Sequence, residues 1–136
     1  MCGPLLASLR VDATLGPVKE QAFSQFAKTC AGYKRSCAVS NITFVGDQFN
    51  RNQTKLMGYS VRVAEWRYTA WFAFDARALH ADTTQVVGRE LYDHRADTGM
   101  WLDFPGEEVN LAPNSTFKTV VQQLHSLILK YIVRQI

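Results

Sequence analysis

The chain has 136 residues, of which 47% are hydrophobic and 12% aromatic, and its formal net charge is +3. Because a chain of this length can bury about two thirds of its unfolded surface, we expect one globular domain with its own core. Eight glycines and four prolines are too few for a collagen-like or low-complexity chain. No apolar run approaches the ~18 residues of a membrane-spanning helix, and the dispersed basic residues argue against a nucleic-acid partner.

The first segments of the chain are weakly patterned. Residues 1–17 are predicted to be an N-terminal lead-in. Their first ten residues lack the basic and apolar regions of a signal peptide, although the chain contains three Asn-x-Ser/Thr sequons. Either the natural chain begins further upstream, as we expect, or the sequons are unused. The next segment, residues 18–27, is ambiguous, since the spacing of its apolar residues fits a helix and residues 22–27 equally fit a strand. The residues at helical spacing are Val18, Ala22 and Phe26.

A polar stretch, residues 28–55, is predicted to be a long surface loop inserted into the domain. Within it, Cys30 and Cys37 enclose six residues, a spacing at which a small disulfide can close. Two unrelated thiols are an equally good interpretation. Cys2 has no further cysteine with which to pair if that bridge forms.

Three Asn-x-Ser/Thr sequons lie in polar segments between apolar ones, which is typical of glycosylated surface loops. They favour a protein of the secretory pathway, and each is a candidate glycosylation site. The acceptor residues are Asn41, Asn52 and Asn114.

The middle of the chain is predicted to form β-strands. Residues 57–63 alternate in polarity and residues 67–74 are rich in aromatic and β-branched side chains, so an antiparallel hairpin with its turn near 65–66 is expected. A third short strand is predicted over residues 88–93. Four aromatic residues form a stripe that can line a sugar site or pack beneath the terminal helix, and we favour packing. They are Trp66, Tyr68, Phe72 and Phe74.

The end of the chain, from Phe117, is predicted to be a long amphipathic helix. Its apolar side chains recur every three or four residues, whereas most of its polar side chains lie on the other side. Residues 113–116 supply a proline and several candidate N-caps. His125 lies on the polar flank and is predicted to be a surface residue rather than a ligand. The apolar face comprises Val120, Val121, Leu124, Leu127, Ile128, Tyr131 and Ile132.

The densest polar cluster is Asp93 and His94 together with Asp97 and Asp103. Adjacent strand residues point to opposite faces, so this cluster is predicted to be a polar loop rather than a metal site or a general base. The sequence has no glycine-rich phosphate loop, no zinc-type array and no nucleophile elbow. We therefore predict no catalytic, cofactor-binding or metal-binding residue in this chain.

Three segments nevertheless resemble one known family. Residues 55–71 resemble a Met-Gly-Tyr-Ser-Ile-Arg block of the sulfatase family, in its iduronate 2-sulfatase branch. Residues 89–93, followed by 106–112, are similar to the Glu-Leu-Tyr-Asp and Glu-x-x-Asn-Leu ending that sulfatases share. Residues 21–26 are similar to a strand of the same branch, which favours β-structure for the ambiguous segment.

The resemblance implies an α+β fold over residues 18–136: a small antiparallel β-sheet with one long C-terminal amphipathic helix packed on it. It corresponds to the C-terminal subdomain of a sulfatase. In that family the formylglycine and the calcium ligands belong to the large N-terminal domain, and none has a matching position here. The expected partner is therefore that N-terminal domain, and the isolated chain is expected to be inactive.

The complete enzyme would hydrolyse a sulfate ester on a uronic acid of a sulfated glycosaminoglycan, in a lysosomal or secreted setting. An alternative from another class is a stand-alone glycan- or polyanion-binding module that uses the aromatic face. Arg62 and Trp66 are the first residues to mutate in search of a substrate contact, although a buried structural role is favoured for both.

Overall fold

A computed structural model describes residues 19–29, 54–99 and 105–135. Four strands form one antiparallel sheet in the order β1-β2-β3-β4, with one helix, α1, packed against it. The α+β architecture predicted from the sequence is therefore confirmed. The elements are β1 (Ala22–Thr29), β2 (Thr54–Arg62), β3 (Trp66–Asp75), β4 (His80–Asp93), two short 3₁₀ turns (Pro105–Glu107 and Ser115–Phe117) and α1 (Lys118–Val133).

The strand assignments follow the predicted pattern with one exception. β1 confirms the choice of β-structure for the ambiguous segment, and β2 and β3 form the predicted hairpin, with Val61 opposite Tyr68. β4 is longer than predicted, at 14 residues. Its register against β3 shifts at two places, because the three residues between Asp82 and Val86, and then Val87, have no partner in the ladder. A bulge of this kind lets a strand continue through residues that do not alternate in polarity.

The core lies between α1 and one face of the sheet. Tyr68 and Phe72 are fully buried there, so the interpretation of the aromatic stripe as a packing surface is confirmed. Full burial of a large apolar side chain stabilises the fold by roughly 1.5–3 kcal/mol. Two ring contacts join the edges of this layer: Phe23 stacks on Tyr131 at 4.3 Å, and Trp66 contacts Phe117 at 5.5 Å. The helix contributes Leu124, Ile128 and Ile132.

The helix begins through a capped turn, as the sequence predicted. The Asn114 side-chain oxygen accepts a hydrogen bond from the Thr116 amide at 3.0 Å and caps the 3₁₀ turn that leads into α1. Asn114 is exposed, and its modification remains a prediction. The lead-in and most of the inserted loop lie outside the described residues. So do two of the sequon residues, Asn41 and Asn52, and the two cysteines of the predicted disulfide, Cys30 and Cys37. None of the described helices is both long and apolar enough to cross a membrane.

Candidate functional site

The candidate site is the outer face of the sheet, the face opposite α1. Side chains of a strand alternate between the two faces, so the residues between the core positions of β2, β3 and β4 converge here. Most of them are polar or amphipathic, unlike the apolar residues beneath the helix, although the apolar Leu56 is buried on this face. The outer face is formed by Ser60, Arg62, Arg67, Thr69, Trp71, Glu90 and Tyr92.

Trp71 is the central residue of the outer face. Its indole lies flat over Gly58, where an added Cβ would stand 2.6 Å from the ring. The indole N–H donates to a carboxylate oxygen of Glu90 at 2.8 Å, and the Lys28 ammonium lies 3.9 Å from the ring centroid. Only 6% of Trp71 is exposed. This tryptophan is therefore held by contacts on three sides, and the glycine beneath it makes the close packing possible.

A charged cluster centred on His94 lies at one end of this face. The buried imidazole is bracketed by two carboxylates: Nδ1 lies 3.0 Å from Asp97 and Nε2 lies 2.8 Å from Glu107. Each carboxylate also pairs with an arginine of the β2–β3 hairpin, Arg62 with Asp97 at 3.5 Å and Arg67 with Glu107 at 2.8 Å. Basic and acidic side chains alternate along the cluster. It ties the hairpin to the turns that follow β4.

The pKa shifts of two aspartates at and after the end of β4 agree with this arrangement. The hydrogen bond from His94 lowers the pKa of Asp97, with a further contribution from the Gly99 amide, so the carboxylate stays ionised. Asp93 pairs instead with Arg95, whose guanidinium lowers the pKa of Asp93. Asp93 and His94 therefore pair with different side chains. This agrees with the prediction that adjacent residues of a strand point to opposite faces of the sheet. Among the described residues no group of metal-binding side chains could hold a metal ion, and Asp103 lies outside them.

Arg62 and Trp66 have structural contacts and lie on opposite faces of the sheet. The Arg62 guanidinium donates to the carbonyl oxygens of Val63 and Ala64, which holds the β2–β3 turn. Trp66 faces the helix layer, with the Arg95 guanidinium 4.9 Å from its ring. The structure does not bring the two predicted residues into one site. Both make structural contacts, but the predicted burial is not observed, since each is partly exposed and the Arg62 side chain is 34% exposed.

His125 departs from its prediction. It is half-buried rather than a surface residue, and its Nδ1 lies 3.0 Å from the Tyr68 hydroxyl. The prediction was wrong because position 125 borders the buried stripe of α1, where an imidazole is long enough to reach over the sheet. The ring centroid lies 5.8 Å from that of Phe72. Burial lowers the pKa of His125, and the positive charge of Arg89 lowers it further.

His125 also lines a cleft of about 510 Å³ between the start of α1 and β4. Sequence reasoning did not identify this cleft, because its residues come from separate elements and form no motif. A second cleft, of about 620 Å³, lies at the β3–β4 turn and is lined by groups of both charges, including Lys55, Asp75 and Asp82. The outer face and the two clefts are three places in the described structure where polar side chains converge.

The segment that resembles the sulfatase ending has a clear structural role. The Asn110 side-chain oxygen accepts hydrogen bonds from the amides of Leu91 and Ala112, at 3.0 and 2.9 Å. Its amide nitrogen donates to the Arg89 carbonyl at 2.9 Å. One asparagine thus extends the ladder beyond the edge strand β4 and fixes the chain that leads to α1.

Comparison with known proteins gives one informative similarity. No protein-family model matches the chain. A stretch of 46 residues is 39% identical to mouse iduronate 2-sulfatase, which amounts to 34% of this chain and 8% of the mouse protein. The chain therefore matches a small part of that protein's length, and it contains a region that is sulfatase-like in sequence.

Proposed function

We propose that the chain is the C-terminal subdomain of a sulfatase related to iduronate 2-sulfatase, and that it completes the fold of a catalytic domain. The observation that carries the proposal is the 46-residue similarity to the mouse enzyme. The sheet-and-helix fold that the resemblance implied supports it. So does the role of Asn110, since this residue of the sulfatase-like ending holds the chain against β4.

The outer face is the surface proposed to meet the catalytic domain. α1 occupies the other face of the sheet, whereas the outer face carries two partly exposed residues of types common at interfaces, Tyr92 and Arg67. The charged cluster around His94 engages its imidazole through both ring nitrogens. We therefore assign His94 a role in shaping this surface rather than in proton transfer.

The chemistry of the complete enzyme would come from the other domain. There, formylglycine and calcium would act on a sulfate ester of a glycosaminoglycan uronic acid, in a lysosomal or secreted setting. Glycosylation at Asn41, Asn52 and Asn114 would fit that setting. In this scheme the present chain supplies fold completion and part of the wall beside the substrate.

The isolated chain is expected to be inactive. Purified 136-residue protein should not hydrolyse 4-methylumbelliferyl sulfate, with or without added calcium, because the proposed chemistry resides in the other domain. Fluorescence release should be measured beside a heat-denatured sample and an active sulfatase. Turnover above that of the denatured sample would contradict the proposal that the catalytic groups lie in the other domain.

The alternative, a stand-alone glycan-binding module, relied on an aromatic face. Tyr68 and Phe72 of that face are fully buried. A glycan would therefore have to bind through the outer face, where Trp71 is itself mostly buried. Retention of the folded chain on immobilised heparin, lost when Arg67 is replaced by Gln, would favour this alternative.

A further inference from the structure

We propose that the cleft between the start of α1 and β4 binds a small organic molecule through an oxyanion group: a sulfate, a phosphate or a carboxylate. The cleft is separate from the outer face, and the inference does not depend on the proposed function. It rests on the charge of the lining, on the hydrogen bond between Tyr68 and His125 and on the size of the cleft.

The lining is positively charged. Arg89 of β4 and Lys118 at the start of α1 both line the cleft, with His125 one to two helical turns further along. No described residue that lines it is acidic. This distinguishes it from the cleft at the β3–β4 turn, where Asp75 and Asp82 offset the basic groups. A ligand group with negative charge suits a lining of this kind.

The contact between Tyr68 and His125 supplies a donor in the proposed site. The Tyr68 hydroxyl lies 3.0 Å from Nδ1 of His125. Burial raises the pKa of Tyr68, so its hydroxyl keeps its proton and is able to donate. We assign that proton to the hydrogen bond with Nδ1, which places the proton of the neutral ring on Nε2 and leaves His125 a hydrogen-bond donor without a charge.

The remaining lining fits a small hydroxylated molecule rather than a bare ion. The cleft measures about 510 Å³, within the range of ligand pockets. Hydrogen-bonding side chains stand beside short apolar ones. The polar members are Asn114, Ser115, Gln122 and Ser126, and the apolar ones are Ala112, Pro113 and Val121.

The wall of the cleft is held in place by asparagine side chains that hydrogen-bond to the backbone. Asn110 binds the carbonyl of Arg89 and the amide of Ala112, so the strand that carries the arginine and the turn that carries the apolar wall are joined by one side chain. Asn114 then caps the turn into α1. A site whose wall is already fixed loses little entropy when a ligand binds.

The test is an NMR titration of the full chain with sodium sulfate, sodium phosphate and sodium acetate, each against sodium chloride at equal ionic strength. We expect saturable shifts of the His125 ring and of the Lys118 and Arg89 signals with at least one oxyanion. Preference for sulfate and phosphate would identify a tetrahedral ligand group, and preference for acetate a carboxylate. Shifts no larger than those with chloride would overturn the proposal.

Three variants sharpen this test. Lys118→Gln removes an exposed charge and should weaken binding about tenfold, as loss of a charge-assisted contact does. Arg89→Gln should weaken binding at least as much, whereas Arg134→Gln, a matched loss of charge at the far end of α1, should leave it unchanged. Equal weakening by Lys118→Gln and Arg134→Gln would overturn the proposal, because it would show a general effect of net charge.

The direction of the hydrogen bond between Tyr68 and His125 can be measured separately. Nitrogen-15 shifts of the unliganded protein should show the neutral His125 ring protonated on Nε2. Tyr68→Phe removes the donor to Nδ1 and should allow the other tautomer to appear. A ring protonated on Nδ1 in the unaltered protein would remove the donor from the cleft and overturn the inference.

Discussion

Replacement of Ile128 by Ala should lower the free energy of unfolding by about 2–5 kcal/mol. Ile128 is fully buried at the centre of α1, between Leu124 and Ile132, and packs on the sheet face that carries Tyr68. Truncation removes buried apolar surface and leaves a cavity that the rigid sheet cannot fill. Since domains of this size are stable by only ~5–15 kcal/mol, the variant should be markedly destabilised.

The control for this prediction lies on the same helix. Val133 is 70% exposed, so Val133→Ala should change the free energy of unfolding by less than about 0.5 kcal/mol. Urea unfolding followed by circular dichroism measures both variants. Equal stability of the Ile128 and Val133 variants would show that α1 does not pack on the sheet as described.

Replacement of Gly58 by Ala should destabilise the protein by about 1–3 kcal/mol, because the added methyl group meets the indole of Trp71. The nearest clash is with a ring carbon at 2.6 Å, so the whole side chain must move. Movement would break the hydrogen bond to Glu90 and the contact with Lys28. The variant should therefore unfold at lower urea and show altered tryptophan emission.

A double-mutant comparison isolates the cause. If the clash with the indole is responsible, Gly58→Ala should cost much less in a Trp71→Leu background than in the unaltered protein. Additive effects of the two substitutions would mean that Gly58 is needed for another reason. The measurement therefore tests the packing of the outer face on which the proposed interface depends.

Most of the fold follows from local patterns. The period of α1 and the alternation of β2 and β3 are strong signals, and both predicted elements are present. β1 could be predicted only with the help of the family resemblance, because the spacing of its apolar residues fits both a helix and a strand. The full length of β4 was missed because Asp82 binds the backbone and side chain of Thr84 within a bulge, and a bulge interrupts the alternation that reveals a strand.

The sites were much less predictable than the fold. Glu107 lies 13 residues from His94 in sequence, and Arg67 comes from another strand, so no spacing rule links them. The same holds for the cleft, whose lining residues Arg89 and Lys118 belong to different elements, joined by a chain segment that Asn110 holds against β4. His125 looked like a surface residue because periodicity assigns a position to a face but does not measure how far a side chain reaches across it.

The most direct test of the proposed function is a chimeric enzyme. In mouse iduronate 2-sulfatase, the segment that matches this chain, with everything after it, would be replaced by residues 19–136 of the present protein. We expect a folded chimera that hydrolyses the sulfate ester of iduronate 2-sulfate, and loss of that activity when the transplanted part carries Ile128→Asp. A chimera that is no more active than this variant would contradict the proposal that the chain completes a sulfatase fold.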